Sequence, residues 1–91
     1  MSYEIIRTSQ FKKDYKLMQK RGKDKAKLEA ILRVLAVGGT LPPENRDHAL
    51  SGNYAGFREC HIEPDWLLIY RIDEGVLELF LFRTGKHSDL F

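Results

Sequence analysis

Residues 57–83, FRECHIEPDWLLIYRIDEGVLELFLFR, decide the fold, because they read as consecutive strands. Phe57 to Glu63 alternates in polarity, and Pro64-Asp65 makes a turn. Trp66 to Ile72 is mostly apolar and includes β-branched and aromatic residues, which favours a strand. Asp73-Glu74-Gly75 is a hairpin loop, and Val76 to Arg83 is the last strand. The stretch therefore predicts an antiparallel meander.

Upstream, the apolar period changes from two to between three and four. Leu28, Ile31, Leu32 and Leu35 form the stripe of a helix that Asp24 can cap and Gly38-Gly39 can end. Phe11, Tyr15 and Met18 form a second stripe, with Thr8 or Ser9 as cap and Gly22 as stop. Lys12, Lys13, Lys16 and Lys20 occupy the rest of that helix. So short a link between the helices predicts an antiparallel hairpin. Tyr3 to Arg7 reads as an N-terminal strand, and Thr40 to Tyr54 as a loop. The expected fold is α+β: an N-terminal strand, then a two-helix hairpin packed on a mainly antiparallel four-stranded sheet.

The 91 residues suffice for one domain, 1–91, burying roughly 60–65% of the unfolded surface. No apolar run approaches the ~20 residues of a membrane helix, and the N-terminus lacks a signal pattern. A cytoplasmic location and no membrane partner are expected. Cys60 is the only cysteine, which excludes an intrachain disulfide and a Cys-rich zinc site. Residues 1–46 carry eleven Lys/Arg against five Asp/Glu, and residues 47–91 carry four against eight. This split suits a basic face that meets phosphates, or simply solvated helix surfaces.

The chain offers three histidines, His48, His61 and His87, with Asp65 in the turn after His61 and Arg83 ending the last strand. RNA cleavage by internal 2′-OH attack needs a base, an acid and positive charge for the phosphorane. Histidine suits both proton transfers, and arginine suits the phosphate. The same residues have structural readings: His61 as a cross-strand histidine, His48 as an exposed loop residue, Trp66 as core and Phe91 as a frayed end. No spacing matches a metal-ligand or nucleotide-binding pattern, so neither metal nor cofactor is expected.

Three segments then carry a family resemblance: Asn45-Arg46-Asp47-His48 with Leu50-Ser51-Gly52, the run from Phe57 to Tyr70, and the ending Arg83-Thr84-Gly85-Lys86-His87-Ser88-Asp89-Leu90-Phe91. In order and spacing they resemble the YafQ branch of the RelE/ParE toxin superfamily. The resemblance implies the toxin of a type II toxin–antitoxin pair, an endoribonuclease that cuts mRNA in the ribosomal A site. It implies no metal, a cognate antitoxin, 16S rRNA contact, and operator DNA bound only through the antitoxin complex. It assigns catalysis to His48, His61, Asp65, Arg83 and His87. His87 is the proton donor and Arg83 the phosphate clamp; the base lies among His48, His61 and Asp65. Trp66 and Phe91 become substrate-placing aromatics, and Lys12, Lys13 and Lys16 contacts to RNA phosphates. The alternatives on this fold are a non-enzymatic ParE-like inhibitor of DNA gyrase and a co-repressor acting only with antitoxin.

Overall fold

A computed structural model describes residues 2–91. The chain runs β1 (Glu4–Arg7), α1 (Ser9–Lys20), α2 (Lys25–Ala36), β2 (His48–Ala49), β3 (Arg58–Glu63), β4 (Trp66–Asp73), β5 (Glu78–Gly85) and α3 (His87–Leu90). Thr8 caps α1 by accepting from the Phe11 N–H at 3.0 Å, and its hydroxyl donates to the Phe82 carbonyl at 2.9 Å, so the cap also fastens α1 to β5. Asp24 caps α2 through the Ala26 N–H at 2.9 Å. Gly22 (φ 81°) and Gly38 (φ 74°) take the left-handed conformation just past the two helices.

The sheet order is β1-β5-β4-β3-β2. Its pairs from β2 to β5 are antiparallel, and β1 runs parallel to β5. Central β4 is covered on both sides. Trp66, Leu68 and Tyr70 face the helix stripes of Phe11, Met18, Leu28, Ile31, Leu32 and Leu35. Leu67 and Ile69 face Leu90, Tyr54, Phe57 and Phe82. That double burial is why Trp66 to Tyr70 is continuously apolar instead of alternating.

Three boundaries differ from expectation. The sheet has five strands, because His48-Ala49, inside the predicted loop, pairs with Glu59 and Arg58; a two-residue edge strand carries no periodic signal. The last strand starts at Glu78 instead of Val76. Asp73 accepts from the Gly75 N–H at 2.9 Å, and the chain reverses through Leu77, which adopts φ 54°. The residues after β5 form a short helix not read from the sequence, α3, whose Leu90 is 6% exposed.

Three carboxylates tie these layers together. Glu63 holds Lys23 at 2.8 Å and Lys27 at 2.7 Å, Asp89 holds Arg21 at 2.7 Å, and Asp14 holds Arg83 at 2.9 Å. Lys23 and Lys27 keep Glu63 below its usual range, and Arg21 with the Lys86 N–H does the same for Asp89. Burial pushes Asp14 up, but Arg83, Gln10 and the Thr84 N–H together bring it below its ordinary value. All three folded values are depressed, so their stabilisation is complete above the unfolded values of about 3.9–4.3 and is lost as pH falls through the folded ones. Urea melts between pH 7 and pH 2 are expected to show little change down to about pH 5 and a steep loss below about pH 4.

Candidate active site

The site lies on the sheet face opposite α1 and α2. His61 pairs with Leu67, a residue of the second core, so alternation places His61 on that face. Glu59, two residues earlier, shares the face and is 3% exposed. Strand β2 sets His48 directly opposite Glu59. As a result Glu59 Oε1 is 3.6 Å from Nε2 of both His48 and His61.

The other ring nitrogens fix the tautomers. His48 Nδ1 is 2.7 Å from the Arg46 carbonyl oxygen, and His61 Nδ1 is 3.2 Å from that of Pro64. A carbonyl oxygen only accepts, so each Nδ1 carries the hydrogen. Each Nε2 is thereby the position where a proton is gained or lost, facing one buried carboxylate. Arg46 supplies its carbonyl from a left-handed backbone (φ 47°), a conformation uncommon for a non-glycine residue. The Asn45 amide donates to the His61 carbonyl at 2.7 Å, and Asp47 binds the Tyr70 hydroxyl at 2.7 Å and Arg58 at 3.2 Å. These bonds dock the His48 loop on the sheet. A cleft of about 390 Å³ opens beside His61, lined by Glu44, Asn45, Arg46, Glu63 and Pro64.

His87 extends the row. Its ring centroid is 6.3 Å from that of His61 and 5.5 Å from that of Phe91, which packs 5.4 Å from Tyr54. Asp65 accepts the His87 backbone N–H at 3.3 Å. Its carboxylate therefore grips the start of α3 as well as lying near the row.

Arg83 arrives by a bulge. Tyr70 pairs with Leu81 but Ile69 pairs with Arg83, so Phe82 is an extra residue and Arg83 starts on the same face as Ile69. Pairing of β1 with β5 stops at Leu81, which leaves an open edge. There Asp14 accepts Arg83 Nε at 2.9 Å, Arg83 Nη2 at 3.0 Å and the Thr84 N–H at 3.2 Å. Asp14, with Tyr54 also beside it, holds Arg83 firmly charged. The pair occupies one edge of the guanidinium.

One expectation is corrected. Trp66 is fully buried on the helix side, and its indole N–H donates to Thr84 Oγ1 at 2.9 Å. It is core and offers no face to a base. Lys12, Lys13 and Lys16 are exposed on α1, on the opposite side of the sheet from His61, where they present a separate basic surface. Sequence reasoning missed Glu59, Asp14 and Tyr54. The two-residue step from Glu59 to His61 is a visible signal that they share a face. Nothing local marks Asp14, whose partner is 69 residues away. Burial pushes the Cys60 thiol up to about 12, with Asp47 and Glu59 adding to it, which disqualifies it as a nucleophile.

A helix hairpin on one face of this sheet, with a histidine row closed by a C-terminal helix on the other, defines a small RelE-like toxin. The chain belongs to the YafQ family, bacterial toxins of type II toxin–antitoxin systems, whose model matches residues 3–91. A curated relative, "mRNA interferase toxin YafQ" of Escherichia coli K12, is 42% identical over 90 residues, covering 97% of this chain and 95% of its own. A metal-bound toxin from Helicobacter pylori superposes with TM-score 0.93 at 42% identity, covering 100% of both chains. The E. coli DinJ–YafQ toxin–antitoxin complex contains a chain matching with TM-score 0.89 at 40% identity, covering 100% of this chain and 99% of that one. In the present chain, among the described residues, no group of three or more His, Cys, Asp or Glu is placed to hold a metal ion.

Proposed function

We propose that this chain cuts mRNA in the ribosomal A site by acid–base catalysis from its own side chains. The observation that carries the reading is the row in which His48 and His61 turn Nε2 toward Glu59 while exposed His87 stands 6.3 Å beyond His61. A base drawn from His48, His61 and Asp65 takes the proton of a ribose 2′-OH. The 2′-oxygen then bonds to phosphorus, the P–O5′ bond breaks, and His87 gives its proton to the departing 5′-oxygen. The products are a 2′,3′-cyclic phosphate and a free 5′-hydroxyl. Arg83, oriented by Asp14, offers its remaining N–H groups to the phosphorane oxygens. Phe91, at 58% exposure, can stack on an unpaired base.

The ribosome enters as the partner that presents mRNA. The exposed lysines Lys12, Lys13 and Lys16 are suited to rRNA phosphates, which positive charge engages without reading sequence. A cognate antitoxin neutralises the chain, and operator DNA is bound only through that complex. Such work is cytoplasmic; among the described residues no helix is long and apolar enough to cross a membrane.

The test is induction without antitoxin, followed by mapping of mRNA 5′ ends. New in-frame ends inside translated regions are expected. Arrest of growth with intact mRNA and altered DNA supercoiling would instead identify a gyrase inhibitor. Because every group in the scheme is a side chain, cleavage of ribosome-bound mRNA by toxin pretreated with EDTA and desalted is expected to proceed at the parent rate. Loss of activity restored by added divalent metal would overturn that part.

A further inference from the structure

We propose that Arg21 and Asp89 act as a pair of positioning residues that hold His87 in place; the inference rests on His87 being the proton donor. A four-residue helix has no stability of its own, so α3 stands only through its attachments. Leu90 supplies a buried anchor, and the Tyr54 hydroxyl donates to the Leu90 carbonyl at 3.2 Å. Both secure the end of the helix beyond His87. The start is secured by two carboxylates on successive backbone N–H groups: Asp65 on His87 at 3.3 Å and Asp89 on Lys86 at 2.9 Å.

Asp89 does more than cap. Arg21, at the C-terminal end of α1, donates to it through Nη1 at 2.7 Å and Nη2 at 3.3 Å. The same Nη1 lies 3.7 Å from Sδ of Met18, which is buried in the helix-side core. One guanidinium therefore links the rigid body of the protein to the turn that carries His87. The backbone makes room for the arrangement. A Cβ at Gly85 would fall 3.1 Å from Asp89 Oδ2 and 3.2 Å from Asp89 Cβ, so a side chain at residue 85 would crowd the carboxylate and make it give by a few tenths of an ångström.

The charge of Asp89 gives the inference an unusual signature. A negative group beside a site for RNA phosphate repels substrate, so electrostatics alone predicts that its removal helps. Positioning predicts the reverse, since a displacement of about 1 Å at a catalytic group can cost about 10²-fold in rate. The experiment measures kcat and KM for cleavage of ribosome-bound mRNA by the full chain and its Asp89→Asn, Arg21→Ala, double, Arg21→Lys and His87→Ala variants. Asp89→Asn is expected to lower kcat by about tenfold or more with KM unchanged or lower. Arg21→Ala is expected to match it, Arg21→Lys to keep most of the activity, and the double variant to be no worse than either single, as for residues acting through each other. Melting temperatures should stay within about 8 °C of the parent, because a partly exposed ion pair contributes little stability. Parent-like kcat in Asp89→Asn overturns the inference, and so does multiplication of the two single losses in the double variant. Full activity in His87→Ala would instead remove the reading of His87 on which the inference rests.

Discussion

His87→Ala is expected to slow mRNA cleavage by about 10²–10⁴-fold, the range for losing one proton-transfer group. The fold should survive, because His87 bonds to Asp65 and Phe91 through its backbone, which alanine retains. Its ring lies exposed between His61 and Phe91, outside both cores. The loss should therefore appear in kcat, with melting and antitoxin binding near those of the parent. An alanine variant that cuts mRNA at the parent rate would remove His87 from the chemistry. One that cuts slowly and melts early would shift its role to structure.

Trp66→Ala is expected to destabilise the protein by roughly 3–5 kcal/mol, as large-to-small changes of buried tryptophan do. At roughly 0.05–0.15 kcal/mol per residue, a chain of this length holds about 5–14 kcal/mol in all. The variant should therefore lose a substantial part of its stability, seen as a lower urea midpoint. Trp66→Phe separates the two readings of this residue. It keeps most of the packing and loses the indole bond to Thr84, whose hydroxyl still donates to the Leu67 carbonyl at 2.7 Å. A cost of about 1 kcal/mol with unchanged KM is expected. Parent stability combined with a raised KM would return Trp66 to the substrate.

Much of the fold was legible because its signals are local. The stripe of Leu28, Ile31, Leu32 and Leu35, the cap at Asp24 and the alternation through Cys60 and His61 each act over a few residues. Pairing partners were not legible. The parallel seating of Glu4–Arg7 on β5 and the brief pairing of His48 with Glu59 depend on contacts distant in sequence. The site divides in the same way. Histidine, aspartate and arginine announce their chemistry by type, whereas their supports, Asp14 and Arg21, look like ordinary residues of a charged helix. Trp66 is the instructive error. Its continuous apolar surroundings spoke for the core, and the role lent by resemblance prevailed over them.

The extra residue at Phe82 gives β5 two neighbouring side chains on one face. Along β5, Leu79, Leu81 and Thr84 serve the helix side, while Phe82 and Arg83 both begin on the other. Removing one residue between Leu81 and Thr84 would restore strict alternation and still leave Thr84 on the helix side beside Trp66. The loss would be a side chain: Phe82 from its stack on Phe57, or Arg83 from the Asp14 carboxylate. The bulge thus sets an aromatic and a cation side by side on one face, while the residues after it keep the faces of an unbroken strand.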